Sequence, residues 1–167
     1  MAAVREPMTP TDEATIATQL GRTPRGVVAV AWRCADGHPG VVVTEPRLPD
    51  GTPFPTTYYL TCPALTAATS TLEASGLMAE MTDRLAADHD LAAGYRRAHE
   101  AYLADRAQLG EVAEIEGISA GGMPTRVKCL HVLLAHALAA GPGVNPLGDE
   151  VVALLKADAL PCLADHG

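Results

Sequence analysis

Residues 119–131, with the sequence SAGGMPTRVKCLH, combine the residue types of a binding or catalytic site. Glycines let backbone N–H groups approach a ligand, proline suits the first position of a helix, and a helix N-terminus favours anions. The segment therefore predicts a cradle for a phosphate or a carboxylate, with an ordinary connection from loop to helix as the alternative. The predicted ligand-binding residues are Ser119, Gly121, Gly122, Arg126 and Lys128.

Three cysteines are the candidate metal ligands. Three segments rich in β-branched residues predict strands, and in an antiparallel meander the first and third strands end at the same edge of the sheet. Cys34 and Cys62 follow those two ends, and Cys129 would cap the same edge from the start of an apolar helix. This convergence predicts a zinc ion or an iron–sulfur cluster with an open position. Alternatively, the cysteines are small buried hydrophobic residues.

Cys129 and His99 are the candidate catalytic residues. Cys129 offers a catalytic thiol, and His99 is alternatively the fourth ligand of the predicted metal site, where water or substrate would otherwise bind. The spacing places His99 on the same helix face as Tyr95 and Tyr102. That face either lines a ligand cleft or forms the polar margin of an amphipathic helix.

Helix geometry limits how the histidines combine with these cysteines. On a helix that begins at Pro124, Cys129 and His131 point to nearly opposite sides, so they bind one ion only if the helix begins later. His136 follows Cys129 by seven residues, about 10.5 Å along a helix, which is too far for one metal ion. We interpret His136 as a core histidine, and we leave out Cys162 because it falls in a predicted fraying tail.

Several long motifs resemble a known family. At residues 51–55, 59–63 and 119–136 the chain resembles the domain-of-unknown-function family 501, which is found mainly in actinobacteria. The resemblance extends from about Leu20 to about Val152 and implies no particular activity. Family members often carry a second cysteine just after the one that matches Cys34, whereas Ala35 and Asp36 follow it here.

The pattern of the whole chain predicts an α+β fold in a single domain of 167 residues. A small three-stranded antiparallel sheet should pack against a mostly helical C-terminal portion. The most apolar helix, Pro124–Ala140, should be central because a helix that is apolar on most sides must be buried. The predicted parts are an N-terminal helix at 9–20, a sheet within 26–61 with strands at 26–33, 40–45 and 56–61, a helical portion at 63–159 and a flexible tail at 160–167.

Charge and hydropathy restrict the function. The net charge of −8 argues against nucleic acid as a partner, and no apolar run is long enough for a membrane segment. We therefore expect a cytoplasmic protein with reduced cysteines. Two classes of function remain: an enzyme or binding protein for a small anionic molecule, or a non-enzymatic interaction protein with structural cysteines.

Overall fold

The computed structural model describes residues 5–158 and 160–164, and within them the fold is α+β. A sheet near the N-terminus is followed by a series of helices. The strands are β1 (Glu6–Pro7), β2 (Val27–Arg33), β3 (Pro39–Thr44) and β4 (Tyr58–Leu60). The helices are α1 (Pro10–Leu20), α2 (Pro63–Glu73), α3 (Leu77–Ala87), α4 (His89–Ala107), α5 (Leu130–Ala140) and α6 (Pro146–Ala157). None of the helices in the described part of the chain combines the length and apolar character that a bilayer crossing requires.

The sheet is antiparallel, with its four strands in the order of the chain. The three predicted strands are present, and the prediction of only three was wrong because β1 adds an edge strand opposite Ala29 and Val30. This strand has two residues and contains a proline, so it has no alternating apolar pattern that a sequence would show. All six residues of β3 are buried, so both faces of the sheet are covered there.

Arg33 at the end of β2 holds the N-terminal elements on the sheet. Its guanidinium donates to both carboxylate oxygens of Asp12 at 2.8 Å and to Glu6 at 2.7 Å. Asp12 also accepts the N–H of Thr9 in the capping box of α1. The pKa of the Asp12 carboxyl lies well below its usual range, and the hydrogen bonds from Arg33 are the largest cause. The carboxylate thus joins α1 to β2.

α5 lies against the sheet and packs on α2 and α6. Eight of its eleven residues are buried, in agreement with a central apolar helix. The helix begins at Leu130, six residues later than the sequence predicts. Pro124 follows a cis peptide bond instead of opening a helix, and residues 119–129 form a series of turns. The site therefore has a loop before the helix where we expected its first turns.

The C-terminal residues are packed where we predicted a flexible tail. A short 3-10 helix spans Pro161–Leu163, and Cys162 is only 8% exposed. The N–H of Ala35 donates to the carbonyl of Cys162 at 3.1 Å, which attaches this segment to the loop between β2 and β3. The burial of apolar side chains offsets the entropy of ordering the segment. The rest of the predicted tail, residues 165–167, lies outside the described residues.

Gly148→Ala should destabilise the protein. A Cβ at this position of α6 would collide with the carbonyl of Leu133 and with Ala137 on α5, so the two helices would have to separate. We expect a loss of about 1–3 kcal/mol in the free energy of unfolding, measured by urea denaturation. The control is Gly94→Ala in α4, where a Cβ would lie 3.3 Å from the ring of Pro146. Equal stability of the two variants would contradict the packing argument.

Candidate functional site

Glu73, at the end of α2, caps the start of α5. One carboxylate oxygen accepts the N–H of Leu130 at 2.8 Å, and the other lies 3.1 Å from Nδ1 of His131. The first amides of a helix lack partners within the helix, and a negative charge there is favourable. The N-terminus of this helix therefore binds an anionic group, the carboxylate of Glu73 from the same protein.

Cys129 and His131 meet beside this carboxylate. Because the helix begins at Leu130, Cys129 is its extended N-cap residue, with φ −152°, and its side chain is free of the helical arrangement that would have separated the two residues. The sulfur of Cys129, a carboxylate oxygen of Glu73 and a ring nitrogen of His131 all lie within 4.8 Å of one another. All three residues are half-buried. We call this group the Glu73–Cys129–His131 centre.

A backbone carbonyl determines which nitrogen of His131 carries a proton. Nε2 lies 3.2 Å from the carbonyl oxygen of Thr66 and 3.3 Å from the hydroxyl oxygen of Ser70, and because the carbonyl only accepts, we assign the proton to Nε2. The hydroxyl of Ser70 donates to the same carbonyl at 3.0 Å. Nδ1 therefore faces the carboxylate of Glu73 and the thiol of Cys129, and in a neutral ring it would present a lone pair to them.

The centre is electron-rich and attracts a positive charge. The pKa of His131 is raised to about 9, first by the hydrogen bond with Cys129 and then by the charge of Glu73, against the opposing effect of burial. A protonated ring is one way to place positive charge between the sulfur and the oxygen. A metal cation bound by the same three atoms is the other, since each of them is a zinc ligand in proteins.

A cavity of about 310 Å³ opens beside this centre, between β4 and the helices α2 and α5. Its walls are mostly apolar, and among the described residues no lysine or arginine lines it. The lining residues are Thr56, Tyr58, Tyr59, Leu60, Thr66, Cys129, His131 and Val132. A compact ligand fits a cavity of this size, and its polar group would have to meet the thiol and imidazole.

The predicted anion cradle is a set of turns whose amides are largely engaged. The N–H groups of Thr125 and Arg126 donate to the carbonyl of Gly122, and that of Lys128 donates to Gly121. The side chains of Arg126 and Lys128 are exposed, and neither lines the cavity. Anion binding by these residues stays a prediction.

His99 and Ser119, two predicted site residues on different parts of the chain, are in contact. Nδ1 of His99 lies 2.7 Å from the hydroxyl oxygen of Ser119. Ser119 is 1% exposed, so a substrate has no access to its hydroxyl. Burial, followed by the charge of Arg96, lowers the pKa of His99. We conclude that this contact fixes the turn at residue 119 against α4.

The predicted metal ligands are distributed over two places. Cys129 belongs to the centre with Glu73 and His131, and Cys34, Cys62 and Cys129 do not form one of the groups whose ligand atoms lie within 4.8 Å in the described part of the chain. Cys34 and Cys62 both interact with Cys162, the cysteine that we left out. Burial, and then the neighbouring Cys62, raises the pKa of Cys162 to about 11. A common iron–sulfur site for the predicted three cysteines stays a prediction.

Sequence reasoning missed Glu73 as a site residue. It lies 56 positions before Cys129 in the sequence. A glutamate at the end of a helix is normally interpreted as a solvent-exposed charged residue. One observation from the sequence could have pointed to it: Cys129 and His131 come together only if the helix begins after Pro124. Under that condition a buried helix start needs an acceptor from elsewhere.

The fold and the site define a small α+β protein with a carboxylate, a thiol and an imidazole beside a largely apolar cavity. A family model described as "Protein of unknown function (DUF501)" matches residues 30–153. The chain belongs to this family, which confirms the resemblance seen in its motifs. No curated protein and no solved structure matched the chain.

Glu73→Gln should lower the pKa of His131 from about 9 toward its usual value, because the neutral amide keeps an acceptor for Leu130 but removes the charge. An NMR titration of the histidine ring protons measures this change. Part of the elevation should remain, since the hydrogen bond with Cys129 is its largest cause. Glu80→Gln on the exposed side of α3 is the control and should leave the titration unchanged.

His136 should make stability depend on pH. The ring is fully buried between Tyr58 and Tyr102, and burial lowers its pKa to about 4. The unfolded chain therefore binds the proton more readily, so the contribution to stability is complete above about pH 6.5 and is lost as the pH falls toward 4. We expect a loss of about 2 kcal/mol between about pH 8 and about pH 5.

Urea denaturation of the wild-type protein and of His136→Phe measures this contribution as the difference between their pH dependences. His89→Asn, which changes an exposed histidine, should retain the wild-type dependence. A phenylalanine variant that loses as much stability on acidification as the wild type would contradict the assignment.

Proposed function

We propose that the protein binds a divalent metal ion of the zinc class at the Glu73–Cys129–His131 centre and uses it to bind a small molecule in the adjacent cavity. The ligand atoms are one carboxylate oxygen of Glu73, the sulfur of Cys129 and Nδ1 of His131. A single thiolate with an imidazole and a carboxylate favours zinc over an iron–sulfur cluster, which is normally held by several thiolates.

The observation that carries the proposal is the orientation of His131. The carbonyl of Thr66 accepts from Nε2, so Nδ1, which holds a lone pair when the ring is neutral, points toward two other electron-rich atoms. Histidines that bind metals commonly donate their second ring N–H to a backbone carbonyl in this way, which fixes the ring and its tautomer. Glu73 is fixed similarly, because its other oxygen accepts the N–H of Leu130.

The cavity indicates the class of ligand. Its walls carry no lysine or arginine, so an anionic or polarisable group of the ligand would meet positive charge only at the centre itself. The hydroxyls of Thr56, Tyr59 and Thr66 are available to orient such a group, and the remaining walls suit a compact apolar body. A zinc ion with an open position polarises a carbonyl or activates a bound water, which would make the protein an enzyme.

A second function is favoured by the raised pKa of His131. With a proton in place of the metal ion, an imidazolium would lie beside the sulfur of Cys129, and Glu73 would hold the ring. The centre would then be a nucleophilic thiol that opens on the same cavity. The two functions use the same residues and differ in whether the positive charge is a proton or a metal ion.

Metal titration of chelator-treated protein that carries Cys34→Ser tests the proposal, because the separate ligand group at Cys34, Asp36 and His38 has then lost its sulfur. We expect zinc to bind with a marked loss of affinity, at least about 100-fold, in each of Glu73→Gln, Cys129→Ser and His131→Gln, because a direct ligand contributes more than the outer residues that orient it. The matched controls, Glu80→Gln and His89→Gln, change exposed residues of the same types and should bind like the wild type.

Alkylation of Cys129 separates the two functions. If zinc occupies the centre, it should protect Cys129 from iodoacetamide, and His131→Gln should abolish the protection. The metal proposal would be contradicted if zinc did not protect Cys129 from alkylation and if the three ligand variants bound zinc as tightly as the two controls. Fast, zinc-independent alkylation that slows in His131→Gln would favour the nucleophilic thiol.

A further inference from the structure

The loop between β2 and β3 brings three different types of metal ligand together. This group is separate from the one that contains Cys129. Arg33 pairs with Pro39 where the strands end, so Cys34 and His38 face each other across the hairpin. The N–H of Cys34 donates to the carbonyl of His38 at 2.9 Å, and that of Gly37 donates to Cys34 at 2.8 Å. Gly37 has φ +82°, a conformation that favours glycine and closes the loop. The backbone thus holds the loop in place by itself.

The side chains of this loop converge as metal ligands do. The sulfur of Cys34, a carboxylate oxygen of Asp36 and a ring nitrogen of His38 all lie within 4.8 Å of one another. Among the described residues, no hydrogen bond or ion pair engages the side chain of Asp36 or of His38. A thiol, a carboxylate and an imidazole are thus available together, and their spacing suits one ion with bonds of about 2.0–2.3 Å.

The three candidate ligands of the loop differ in their burial. Cys34 is buried, whereas Asp36 and His38 are exposed. The buried Cys162 interacts with Cys34, and the N–H of Ala35 donates to the Cys162 carbonyl. An ion that enters from solvent would therefore meet two exposed ligands first and a buried sulfur last.

We infer that the β2–β3 loop binds a divalent cation of the zinc class through Cys34, Asp36 and His38. This loop site shares no residue with the Glu73–Cys129–His131 centre, so it does not depend on the proposed function. The bound ion would brace the hairpin against the C-terminal segment Pro161–Leu163, because Cys34 contacts both. Its role would be structural or regulatory, as the cavity lies elsewhere.

The only tryptophan of the chain offers a local test. Trp32 lies two residues before Cys34 in the chain, and it lines one cavity together with Ala35 of the loop and Cys162. Cobalt(II) occupies zinc sites and quenches tryptophan fluorescence at short range, so quenching by one equivalent reports this loop. The titration is made in the Cys129→Ser variant, where the other centre has lost its sulfur.

We expect Trp32 to be quenched by stoichiometric cobalt, with a thiolate-to-cobalt charge-transfer band that Cys34→Ser removes. His38→Gln and Asp36→Asn change exposed side chains that the fold does not need, and each should weaken binding at least about 10-fold. His89→Gln and Asp83→Asn, at exposed sites elsewhere, should bind like the parent. Absence of quenching, or equal affinity in His38→Gln, Asp36→Asn and their controls, would overturn the inference.

Discussion

The start of α5 needs a hydrogen-bond acceptor, and the site depends on how that need is met. Leu130 is fully buried, so its N–H has no access to water and must find a partner within the protein. The partner is a carboxylate from another helix, Glu73 of α2. The same contact that completes α5 therefore brings a carboxylate to the thiol of Cys129 and the ring of His131. The energetics of folding and the chemistry of the centre share one interaction.

The other helices hold the turns that lead into α5. The hydroxyl of Thr82 on α3 accepts the N–H of Val127 at 3.0 Å, and the hydroxyl of Tyr95 on α4 donates to the carbonyl of Arg126 at 2.9 Å. His99 holds Ser119 at the beginning of the same segment. These long-range contacts fix a segment that has no regular structure of its own. They explain why tyrosine and histidine follow one face of α4.

Local patterns in the sequence predicted most elements, because caps, prolines and β-branched runs act over a few residues. α2 begins at Pro63, where the predicted helical portion begins, and the predicted strands are in place. The segment before α5 was different, since Pro124 suits a first helical position but partners distant in the sequence fix another conformation. Within the candidate site, Cys129 was predictable from its residue type and its neighbours. Glu73 was not, because its role arises only when α2 and α5 pack together.

The close contact between α5 and α6 also limits how the cavity can change its shape. Gly148 lies so near the carbonyl of Leu133 that the two helix backbones are almost in direct contact. Any sliding of α5 along its axis would drive the next side chains of one helix into the other, so α5 behaves as the stationary wall. The remaining walls of the cavity are formed by β4 and the first turn of α2. We therefore expect any adjustment to a ligand to fall on those walls, while the position of His131 on α5 stays fixed.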